Sequence, residues 1–100
     1  MIKWCLCVTK DRDICIPQFF DTHAEAYQNM RSLLMRNIAD SSYADEYLGE
    51  DGEIINIEEG EHHGRFFITP ENPYREYESM WSNLDDDCSL DAAIFKVSLG

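Results

Sequence analysis

The chain has 100 residues, 44% of them hydrophobic, 28% charged and 12% aromatic, which is enough apolar material for one folded domain of ordinary size and excludes a disordered acidic tail. Twenty acids against eight bases leave a net charge of −12, which excludes nucleic acid and anionic membrane as direct ligands, because both are met by Lys and Arg. No apolar run approaches the roughly 18 residues of a membrane span, and the chain opens on strand-like Met1-Ile2-Lys3-Trp4 rather than a signal sequence. The expectation is a soluble protein of the cytoplasm, in a bacterial cell.

Ile2, Trp4, Leu6 and Val8 alternate with Lys3, Cys5, Cys7 and Thr9, the period of a strand with one face in a core. Lys10-Asp11-Arg12-Asp13 is a polar turn, and Ile14 to Phe20 is apolar but carries Pro17, so it predicts a short edge strand or a covering segment. Thr22-His23-Ala24-Glu25 has the spacing of a capping box. Ala26, Tyr27, Met30, Leu33, Leu34 and Ile38 follow on one helical face, so a helix is predicted from Thr22 to Ala39, ending before Asp40-Ser41-Ser42.

Two β-rich runs, 53–59 and 64–69, flank Gly60-Glu61-His62-His63 and predict a hairpin. Asn72 followed by Pro73 reads as the start of a second helix, with Tyr74, Tyr77, Met80, Trp81 and Leu84 as its apolar stripe and Asp85-Asp86-Asp87 as its end. Residues 92–99 close the chain as a strand, with Ala93, Phe95, Val97 and Leu99 on one side and Ile94 on the other.

These elements define an α+β fold, a two-layer sandwich. Two arrangements satisfy them: the ferredoxin-like βαββαβ order, or a mainly antiparallel sheet with two helices on one face. In either, Cys5, Cys7, Ile54, Phe67 and Ile94 fall on the outer sheet face, which is then too apolar to stand bare. A covering segment 14–20, a one-residue register reversal in one strand, or a homodimer or docked partner would each account for it.

No catalytic signature is present, the glycines are dispersed singly, and the protein is expected not to be an enzyme. Cys5, Cys7, Cys15 and Cys88 lack the knuckle spacing of a zinc site and are expected to be reduced, metal-free packing residues. His62-His63 reads as a solvated loop pair, and Asp85-x-Asp87-x-Ser89 has Leu90 where a calcium loop needs glycine. No metal and no cofactor are expected.

The informative feature is where the acids lie. No Lys or Arg occurs from Asn37 to Gly64, while Asp40, Asp45, Glu46, Glu50, Asp51, Glu53, Glu58, Glu59 and Glu61 supply nine carboxylates. A second group, which includes Asp85, Asp86 and Asp87, is relieved only by Arg75, whereas the first 36 residues are nearly balanced. Tyr43, Tyr47, Leu48, Ile54, Ile55 and Ile57 interrupt the first segment, which argues for ordered structure under the charge. Carboxylates so spaced can imitate the phosphates of a nucleic acid, with Tyr43 and Tyr47 as anchors on a basic partner.

A compact acidic α+β chain with Phe20-Asp21-Thr22-His23-Ala24-Glu25-Ala26-Tyr27 opening its helix and Ile94-Phe95-Lys96-Val97 near its end resembles, in style over the whole chain, small proteins of phages and mobile elements. Among these, anti-CRISPR proteins and other nuclease inhibitors are compact, acidic mimics of nucleic acid. The resemblance implies an inhibitor that occludes the nucleic-acid site of a basic protein such as a CRISPR effector, and it transfers no residue. The alternative is a non-enzymatic accessory or structural protein that dimerises, or binds a protein, through the apolar sheet face.

Overall fold

The computed structural model describes residues 1–51, 60–62, 66–68, 71–85 and 88–98. Its elements in chain order are β1 (Ile2–Lys10), β2 (Asp13–Ile14), β3 (Gln18–Phe20), α1 (His23–Ala39), α2 (Ala44–Tyr47), β4 (Gly60–His62), β5 (Phe66–Ile68), β6 (Tyr77–Asp85) and β7 (Cys88–Ser98). The fold is α+β: one antiparallel sheet in the order β2-β1-β7-β6-β5-β4, with β3 also paired to β1, and helices against one face. Of the two predicted arrangements it is the mainly antiparallel sheet. The ferredoxin-like order is corrected, because residues 77–85 form a strand where that order requires a helix.

The cause of that correction is visible in the register. Glu78, Met80, Ser82 and Leu84 alternate inward along β6, while Tyr77, Ser79, Trp81 and Asn83 point to the other face. Apolar side chains on both faces placed Tyr77, Met80, Trp81 and Leu84 at three- and four-residue spacing, which imitates a helical stripe. Asn72 does organise its surroundings, accepting at Oδ1 from the Tyr74 amide at 3.0 Å, but as a turn rather than a helix cap. Asp85 ends β6 instead of a helix, and Asp86 and Asp87 lie outside the described residues.

Helix α1 begins where predicted. The Thr22 hydroxyl accepts from the Glu25 amide at 3.2 Å and donates to the Glu25 carboxylate at 3.0 Å, which holds the first turn. At the other end the Ser41 hydroxyl donates to the Ile38 carbonyl at 2.7 Å. The helix lies across β1, β6 and β7. Ala26, Tyr27, Met30, Leu34 and Ile38 meet Trp4, Leu6, Met80, Leu90, Ala92, Ile94, Phe66 and Ile68 in one core. Ile94 is fully buried there, paired across the ladder with Leu6, so its expected place on the outer face is corrected. Ala93, Phe95 and Val97 take that face instead.

The segment from residue 13 to residue 20 forms the short edge strands β2 and β3, with Pro17 between them where no ladder bond is lost. A hairpin is present as the β4–β5 pair, but the expected loop is corrected: Gly60–His62 form its first strand, with Glu61 opposite Phe67 and His62 opposite Phe66, so His62 lies in the ladder rather than in a loop; residues 53–59, expected as that strand, lie outside the described residues.

The β1–β2 turn carries positive φ at both central residues, Asp11 (50°) and Arg12 (74°), the type I′ geometry of a two-residue hairpin. Asp11 is fixed by exchange with Ser89: its amide donates to the Ser89 carbonyl at 2.9 Å, and its carboxylate accepts from the Ser89 amide at 2.8 Å. That backbone bond, ahead of the nearby Lys10, holds the Asp11 carboxyl below its ordinary value. Among the described residues Arg12 has no such anchor, so Arg12→Gly is expected to stabilise the fold by about 0.5–1 kcal/mol, raising Tm by a few degrees in a thermal melt.

Candidate functional site

Among the described residues, three places concentrate chemistry. The first is the acidic shoulder that runs from the end of α1 through α2. Asp40 caps α1 at its C-terminus, Asp45 and Glu46 occupy the first turn of α2, and Glu50 and Asp51 follow it; all five are exposed. Tyr43 is half-buried at the start of α2, its ring 6.2 Å from that of Tyr47. Tyr47 itself is only 2% exposed and packs edge-on against Phe66 at 5.0 Å, so its expected role as a contact anchor is corrected: it pins α2 to the core. Glu61 lies on β4 and Asp85 at the end of β6, both apart from α2 in the chain. Glu53, Glu58, Glu59, Asp86 and Asp87 lie outside the described residues.

Beside this shoulder, a cleft of about 440 Å³ opens between α1 and the edge formed by β1 to β3. Lys10, Arg36, Asn29 and Ser32 line it over Leu6 and Leu33, and Asp40 shares its wall. The Lys10 ammonium donates to the Asn37 side-chain carbonyl, and the Asn37 amide donates to the Ser82 hydroxyl, so buried Asn37 ties the sheet to the helix.

The third place is a buried pair that sequence reasoning missed. His23, the first residue of α1, donates from Nε2 to the Glu78 carboxylate on β6 at 2.7 Å, with side-chain exposures of 7% and 0%. Trp4 abuts the imidazole edge-on at 4.8 Å and Tyr27 stacks on it at 6.1 Å. His23 Nδ1 and Glu78 Oε2 have no hydrogen-bond partner among the described residues. The signal was available: His23 lies on the same stripe as Tyr27, Met30 and Leu34, and reading 77–85 as a strand would have put Glu78 among Met80, Ser82 and Leu84. Sealed from solvent, the pair is placed to join helix to sheet rather than to meet a substrate.

Cys5 and Cys7 lie on one face of β1 with their sulfurs 3.8 Å apart. Burial first, and then the neighbouring Cys7 thiol, push the Cys5 thiol above its ordinary value, the opposite of what a nucleophile requires. Among the described residues no three His, Cys, Asp or Glu side chains are grouped to hold a metal ion, and no helix is long and apolar enough to cross a membrane. No protein-family model matches the chain, and neither a curated protein nor a solved structure is significantly similar to it.

Proposed function

We propose that this is a non-catalytic binding protein whose acidic shoulder docks into the nucleic-acid site of a basic protein and occludes it. The observation that carries the reading is the exposure of Asp40, Asp45, Glu46, Glu50 and Asp51 along the stretch from the end of α1 to just past α2, in a segment that holds no Lys or Arg from residue 37 to residue 64. Tyr47, Leu48 and the Ser41 hydroxyl hold the backbone of that stretch against the core, so the cost of ordering on binding falls on the exposed side chains alone. A basic channel would gain both steering and close charge pairing from such a surface, and a CRISPR effector is one protein with a channel of that kind.

The test replaces Asp45, Glu46, Glu50 and Asp51 together with Asn or Gln. Fold and thermal midpoint are expected to stay level or rise, since exposed like charges are removed. Basic nucleic-acid-binding proteins captured by the parent chain from a heparin-blocked bacterial lysate are expected to be lost with the variant. Equal capture by both chains would remove the shoulder as the contact surface.

A further inference from the structure

The sheet face opposite α1 carries a pattern of its own. Phe19, Cys5, Phe95 and Tyr77 are register partners across β3, β1, β7 and β6, and the three aromatic rings form a transverse ridge, with buried Cys5 between Phe19 and Phe95. Two residues along each strand, Cys7, Ala93 and Ser79 form the next row, and their small side chains leave a trough of about 410 Å³ bounded on its far side by Trp81. Phe19 and Tyr77 are 54% and 61% exposed, and among the described residues no helix covers them. The charged residues that the register places on this face are Lys3, already paired with Asp21, and Asp91 and Glu61, which share the row of Trp81 and Phe67.

From this ridge and trough we infer that the open face is the contact between two copies of the chain, related by a two-fold axis lying across the strands between the two rows. Such an axis carries each ridge into the other copy's trough: Phe95 meets Ala93 of the second copy, Tyr77 meets Ser79, and the same contacts recur in reverse. That reciprocity is what an isologous interface requires. Adjacent strands spaced about 4.8 Å apart and rising about 3.4 Å per residue give the face roughly 700 Å² in plan, close to the ~800 Å² per partner of a stable interface. Asp40, Asp45 and Glu46 sit on the helical layer, on the far side of the sheet, so pairing through the open face leaves that layer uncovered. The face complements itself, ridge to trough, under that axis, which is why a second copy is the occupant.

The test is analytical ultracentrifugation of the intact chain up to about 0.1 mM, beside Tyr77→Lys on the ridge and Ser79→Glu in the trough. The parent chain is expected to run at twice the chain mass. Each variant, checked by circular dichroism to be folded, is expected to dissociate at least about tenfold more readily, and an equimolar mixture of the two to recover a heterodimer through the new Lys–Glu contact. A parent chain that stays monomeric throughout, or a dimer indifferent to both substitutions, would overturn the inference. Both results are independent of the acidic shoulder, whose substitution is expected to leave the mass unchanged.

Discussion

Replacing His23 by Leu is expected to cost about 3–5 kcal/mol of stability, because it leaves the fully buried Glu78 carboxylate without its donor. A domain of this size has about 5–15 kcal/mol in all, so the variant should melt well over ten degrees lower or fail to fold at 37 °C. The converse change, Glu78→Leu, leaves an unpaired imidazole instead of an unpaired carboxylate and should cost about 1–3 kcal/mol. Making both changes removes the polar pair entirely, and stability should return to near that of the parent chain. Urea denaturation of the three variants checks the order. Equal, small losses in both single variants would show that the pair is not sealed between α1 and β6.

The second large effect is a cavity. Leu34 is fully buried on α1, within the core shared with β1, β5, β6 and β7, and Leu34→Ala is expected to destabilise by about 2.5–5 kcal/mol, a lost transfer energy plus an unfilled void. The midpoint in urea should fall with an unchanged slope, since the surface exposed on unfolding hardly alters. A loss below about 1 kcal/mol would place Leu34 outside the packed layer.

Local signals were legible where one face of an element differs from the other. Helix α1 announces itself through the Thr22–Glu25 box and a stripe with a polar back, and β1 through alternation between Trp4, Leu6, Val8 and their neighbours. Strand β6 was not legible, because both of its faces are apolar: Met80 and Leu84 enter the core while Tyr77 and Trp81 line the open face. The same two-sided character hid the side of Ile94, which only its pairing with Leu6 decides. Which face of a strand is inside depends on long-range pairing, which residue spacing does not encode. Of the shoulder, the exposed carboxylates could be read from the absence of bases, but the inward turn of Tyr47 follows from its contact with Phe66, a residue 19 positions away in the chain.

The measurement that bears most directly on the proposed binding mode is a salt series on the complex formed with a captured basic partner. The Debye length falls from about 10 Å at 0.1 M to about 3 Å at 1 M, so affinity carried by Asp40, Asp45, Glu46, Glu50 and Asp51 should drop steeply over that range. The slope of log affinity against log salt should flatten when the last four are neutralised. Affinity that holds level or rises with salt, with the same slope in the parent chain and the variant, would contradict an acidic docking surface.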